Sequence, residues 1–90
     1  MNTKVALIGI VVKNRDSVTA LNDILHKNAQ YVIGRMGLPY EKRGVSIISV
    51  AVDAPADVIS TMSGRIGSLP GVSAKTIYAK GAEDTLEKID

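Results

Sequence analysis

Ninety residues make one domain, and a chain of that length buries only about 60% of its extended surface on folding, so its own core is marginal. The apolar share is 46%, yet there is no Phe, no Trp and no Cys, so the core is built from aliphatic side chains, and disulfides, thiolate metal sites and thiol catalysis are excluded. Net charge is +2 from eleven basic and nine acidic residues, and these are scattered rather than clustered as a nucleic-acid footprint requires; the tightest pair is Lys42-Arg43 beside Glu41.

Residues 5–12, Val-Ala-Leu-Ile-Gly-Ile-Val-Val, form a continuous apolar run rich in β-branched side chains. The run reads as a central strand buried on both faces. It is shorter than the ~18 residues of a membrane span. It also lacks the cleavable pattern of a secretory signal, since Lys4 precedes it and charges follow, so the expected compartment is the cytoplasm. Asn14 stands where an N-cap belongs, with Asp16 in the first turn facing the helix dipole. Val18, Leu21, Ile24 and Leu25 then give one apolar stripe, which predicts a helix over residues 15–28.

Residues 30–40 carry Tyr31, Val32, Ile33 and Met36 interrupted by Gly34 and Gly37. They read as a strand ending in a turn at Gly37-Leu38-Pro39-Tyr40. Pro39 cannot donate to a ladder, which places this strand at an edge. Gly44 opens the next strand, residues 45–52, again apolar on both sides. Asp53-Ala54-Pro55 starts a second helix whose stripe is Val58, Ile59, Met62, Ile66 and Leu69, and Leu69-Pro70-Gly71 ends it. Residues 72–80 form the last strand. The domain is expected to span residues 1–80, followed by an acidic tail at 81–90, frayed or disordered.

The order β-α-β-β-α-β, with short right-handed connections, predicts a ferredoxin-like α+β fold. In it a four-stranded antiparallel sheet, ordered 4-1-3-2, carries both helices on one face. Two helices cover one face only, and the apolar side chains of the other would be left wet in a monomer. A homo-oligomer, dimer or tetramer, that buries the second face is therefore expected.

Four stretches bear a family resemblance. They are Ile10-Val11-Val12-Lys13-Asn14-Arg15, Gly34-Arg35-Met36-Gly37-Leu38-Pro39-Tyr40, Ser63-Gly64-Arg65-Ile66-Gly67-Ser68-Leu69-Pro70-Gly71-Val72, and Lys75. Together the chain resembles, over residues 4–80, the family of iron-only hydrogenase system regulators. That family is similar in fold to ACT domains and to the C-terminal ligand-sensing domain of nickel-responsive repressors. The resemblance implies a regulatory, ligand-sensing or partner-binding oligomer connected with hydrogenase maturation. Nickel-sensing domains hold their metal with several His and a Cys. This chain has His26 alone and no Cys, so neither metal nor cofactor is carried over. The repressors also have a separate DNA-binding segment that this sequence has no residues to build, which points to a DNA-binding or hydrogenase-maturation partner protein.

Candidate site residues each have a plain reading beside the functional one. The turn Lys13-Asn14-Arg15-Asp16 offers free helix-start N–H groups and two cations to a small anion, or is an ordinary cap whose charge Asp16 offsets. The resemblance implies a ligand near this loop, since ACT-like domains bind there at a subunit interface. Arg35 beside Gly37 is either solvated or a bidentate grip for carboxylate or phosphate. Tyr40 offers a ring and a hydroxyl at the same turn, or caps the sheet edge. Gly64 and Gly67 each cost about 1 kcal/mol inside a helix. They mark early fraying toward Pro70 or the close approach of another backbone or ligand. His26 lies off the apolar stripe and reads as a surface histidine. No nucleophile–base pair and no carboxylate pair is apparent, so a non-catalytic domain is expected, and the resemblance implies that its role is regulatory. Two other readings are weaker: a small ferredoxin-like oligomeric enzyme of isomerase or monooxygenase type, and a DNA-binding regulator acting alone, for which no recognition helix is seen.

Overall fold

In the computed structural model, which describes residues 2–80, the elements follow as β1 (Lys4–Val12), α1 (Val18–Lys27), β2 (Val32–Tyr40), β3 (Val45–Ala54), α2 (Ala56–Gly67) and β4 (Val72–Tyr78). The expected acidic tail, residues 81–90, lies outside the described residues. All strand pairs are antiparallel, in the order β2-β3-β1-β4. The fold is the ferredoxin-like α+β arrangement, and the two long apolar runs are its middle strands.

Side-chain alternation divides the sheet in two. Ala6, Ile8, Ile10 and Val12 of β1 and Ile48, Val50, Val52 and Ala54 of β3 are buried, and they form one core with Leu21 and Leu25 of α1 and Ile59, Met62 and Ile66 of α2. Both helices therefore lie on the same face. Each large aliphatic side chain in this layer contributes about 1.5–3 kcal/mol through burial. The opposite face has no helix. Cross-strand register aligns Gly34, Ala51, Leu7 and Ile77 in one row, Met36, Ser49, Gly9 and Lys75 in the next, and Leu38, Ile47, Val11 and Ser73 in a third.

Several local expectations are corrected. Residues 37–40 are not a turn: β2 continues through them, with Leu38 opposite Ile47 and Pro39 opposite Ser46. Because β2 is an edge, a residue without an N–H is tolerated there. The reversal comes later, in a 3-10 turn at Glu41–Arg43 closed by Gly44 at φ 65°. The first helix also begins differently. Asn14 caps a 3-10 turn, Arg15–Ser17, by accepting the Asp16 N–H at 2.9 Å, and α1 follows from Val18. Val18 is exposed, and Ser17 is buried instead because its hydroxyl donates to the Pro70 carbonyl at 2.6 Å. Finally, α2 does not fray before its glycines. Ile66 is buried, and the Ser68 N–H donates to the Gly64 carbonyl at 3.1 Å, which carries the helix through Gly67.

Candidate functional site

The sequence candidates fall in four separate places. Asn14 belongs to the first, where the β1–α1 turn meets the α2–β4 turn. There the Lys13 N–H donates to the Gly71 carbonyl at 2.7 Å, one residue from the Ser17–Pro70 bond. Gly71 has φ 69°, and a Cβ on it would come within 2.7 Å of the Asn14 Cβ. The side chain of Asn14 is occupied by its cap, so this corner is a structural joint.

The second place is edge strand β2 with α1. Arg35 and Gly37 pair with the buried Val50 and Ile48, so both sit on the helix side of the sheet. There the two terminal guanidinium nitrogens of Arg35 donate to Asn22 Oδ1 of α1, each at 3.3 Å. These bonds span an open groove of about 600 Å³ lined also by Asp23, Leu25, His26, Ala29, Val32, Ile33 and Gly34. The groove combines a cation, a carboxylate, an imidazole and an amide over an apolar floor.

The third place is on the other face of β2, where Tyr40 projects, since it pairs with Val45 on the helix-free side. It shares a small hollow of about 130 Å³ with Arg15 and Glu41, and a second of about 520 Å³ with Lys13, Arg43, Gly44 and Val45. Arg15 and Tyr40 are thus brought together, whereas Arg35 and Gly37 are not brought to either.

Gly64 and Gly67 make up the fourth place, on α2 toward β4 and so at the opposite sheet edge from Arg35. A Cβ on Gly64 would meet nothing within 4 Å. One on Gly67 would touch the Ala74 Cβ at 3.7 Å, so this glycine faces β4.

Sequence reasoning missed Asn22, Asp23 and His26 as groove residues, because nothing in their spacing says that β2 will pass beside them. It took Lys13 only as a cation of the turn after β1, apart from Tyr40, and left Arg43 and Ser17 outside the candidate set. Two cations placed at the ends of neighbouring strands were the available signal for Lys13 and Arg43. Among the described residues no group of three His, Cys, Asp or Glu is arranged to hold a metal ion, and no helix is long and apolar enough to cross a membrane.

Comparison with known proteins gives a family. A model of the TM1266-like family, described as "Iron-only hydrogenase system regulator, putative", matches residues 4–76. The solved structure of uncharacterized protein TM1266 from Thermotoga maritima superposes with a TM-score of 0.84 at 26% identity, covering 88% of this chain and all (100%) of that one. An unknown protein from Galdieria sulphuraria is similar at TM-score 0.61 and 20% identity, covering 88% of this chain and 46% of that one. A formyltetrahydrofolate deformylase from Pseudomonas putida KT2440 is similar at TM-score 0.59 and 13% identity, over 81% of this chain and 28% of that one. The last two likenesses are of fold alone. No curated protein matches the sequence.

Proposed function

The chain belongs to the TM1266-like family of iron-only hydrogenase system regulators, and from that membership we propose a non-catalytic regulatory subunit that self-associates through the helix-free sheet face and responds to a small anionic ligand. The observation that carries the reading is the apolar character of that face. Leu7, Met36, Leu38, Ile47 and Ile77 are 42%, 71%, 60%, 43% and 68% exposed, and Val5, Val11, Val45 and Ala51 lie among them. Full burial of one such side chain is worth about 1.5–3 kcal/mol. Five that are half exposed amount to several kcal/mol, the same order as the whole stability of a small domain, about 5–15 kcal/mol. A second copy presenting the same patch about a two-fold axis covers it most simply.

The non-catalytic part of the proposal rests on the dispersion of the candidate residues over four places. Output through nucleic acid calls for a DNA-binding partner, or for a hydrogenase-maturation protein. Among the described residues the only α-helices, α1 and α2, are packed on the sheet. Cytoplasmic residence fits this role.

Sedimentation velocity at micromolar concentration tests the assembly. The unmodified protein should sediment as a dimer or larger, and Ile47→Glu should give a folded monomer. A stable monomer before any substitution would sink the proposal. Its regulatory half is tested by deleting the gene in a host that makes an iron-only hydrogenase, where unchanged hydrogenase transcript and activity would count against it.

A further inference from the structure

The hollow beside Tyr40 has two cations and no carboxylate in its lining, whereas the other hollows described each include an Asp or a Glu. It is lined by Lys13, Tyr40, Arg43, Gly44 and Val45 and measures about 520 Å³. Register explains why these residues meet. Tyr40 is opposite Val45, and Val12 is opposite Ser46, so Lys13, the next residue after β1, comes level with Val45 one strand further across. The three-residue turn Glu41–Arg43, closed in the left-handed conformation by Gly44, brings Arg43 back to this corner. Two cations and a phenolic hydroxyl thus line one concavity with no carboxylate among them.

Among the described residues neither Lys13 nor Arg43 has a side-chain ion pair. Glu41, the nearest acid in sequence, lines the smaller hollow with Arg15 instead. By contrast, Arg35 in the α1–β2 groove is already engaged by Asn22, and the Asp23 carboxylate lines the same groove. Of the two concavities, the Lys13 corner is the one suited to an anion.

We propose that Lys13, Tyr40 and Arg43 form a binding site for a small phosphomonoester at the rim of the helix-free face. A phosphomonoester carries about −1.5 to −2 charge at pH 7, which matches two cations, whereas a carboxylate or a backbone phosphodiester brings a single charge. The guanidinium fork of Arg43 takes two phosphate oxygens, the Lys13 ammonium acts as a point charge on the third, and the Tyr40 hydroxyl donates alongside. A volume of about 520 Å³ is that of a small-molecule cleft. Tyr40 and Val45 stand on the same face as Ile47 and Leu38, so an occupant lies next to the proposed self-association surface. The regulatory meaning of the site, a ligand that biases assembly, rests on the reading proposed above.

The test is an amide NMR titration of the whole chain with inorganic phosphate as the probe, at constant ionic strength, with chloride as control. Saturable shifts centred on residues 13 and 40–45 are expected. Lys13→Gln and Arg43→Gln should each weaken binding by about tenfold, the value of one charge-assisted bond. Lys4→Gln, at the far end of β1, should leave it unchanged. Shifts that do not saturate, or that scatter over all basic residues, would overturn the site, as would full affinity in Arg43→Gln. A short DNA duplex lacking terminal phosphates serves as the competing ligand, and if it binds these residues more tightly than phosphate the monoester assignment is wrong. Sedimentation of the same samples separates the two proposals. An assembled protein indifferent to phosphate refutes the site alone, and a monomer that binds phosphate refutes the assembly alone.

Discussion

A methyl group added at Gly71 would lie 2.7 Å from the Asn14 Cβ, on a backbone whose φ is 69°. The left-handed conformation alone costs a residue with a Cβ about 1–2 kcal/mol, and the contact adds to it. Gly71→Ala should therefore destabilise the domain by about 2 kcal/mol or more, read from urea denaturation. At Gly64 the same change has the opposite sign. It sits inside α2 with open space around it, so Gly64→Ala should stabilise by about 0.5–1 kcal/mol through helix propensity. Loss of stability or of assembly in Gly64→Ala would mean that another molecule approaches the backbone there. The sequence shows Gly64 and Gly67 as unusual because they interrupt a helical stripe. It does not show Gly71 as the constrained one, because its obstacle, Asn14, is distant along the chain.

At the level of elements, the joint between the β1–α1 and α2–β4 turns ties the two halves of the βαββαβ order together. Its buried member is Ser17, whose hydroxyl bonds the Pro70 carbonyl. Ser17→Ala leaves that carbonyl without its partner and should cost about 1–3 kcal/mol. Faster hydrogen exchange at the Lys13 amide, which donates to Gly71, would show that the joint itself has loosened. An unchanged denaturation midpoint would show that water replaces the hydroxyl. The central strands and both helices were legible in the sequence because alternation and the three-to-four spacing are local signals. The start of α1 was not. Val18 fits the apolar stripe, yet it stands at the helix end and remains exposed, while a serine is buried through a bond to a residue far along the chain. Pro39 misled in a similar way. It correctly marked an edge, but the continuation of β2 to Tyr40 depends on pairing with β3, which no local pattern reveals. Of the candidate site, the residue types were legible and their grouping was not.

For the whole molecule, coupling between folding and association gives a test independent of sedimentation. If the helix-free face is buried between copies, the melting temperature should rise with protein concentration, because mass action favours the associated native state. Ile47→Glu should remove that dependence and leave a folded domain. Val50→Glu, from the same strand but buried under the helices, should unfold it, since an unpaired buried charge costs several kcal/mol. Equal effects from the two substitutions would mean that the faces are not distinct in role.

The two-sided apolar character of β1 has one more consequence, for how the chain finds its native pairing. Sliding a strand by one residue turns its whole side-chain set over. In a strand with one polar face, that error exposes oil and buries charge, and it corrects itself. In β1 it would exchange Ala6, Ile8, Ile10 and Val12 for Val5, Leu7 and Val11, one greasy row for another. Gly9 breaks the near-equivalence: in the native register it lies outward between Ser49 and Lys75, and turned inward it would leave a gap beneath the helices. The strand at the centre of the molecule thus says little about which way up it belongs. That choice falls to its neighbours, through helix docking and the Lys13–Gly71 bond that anchors its end.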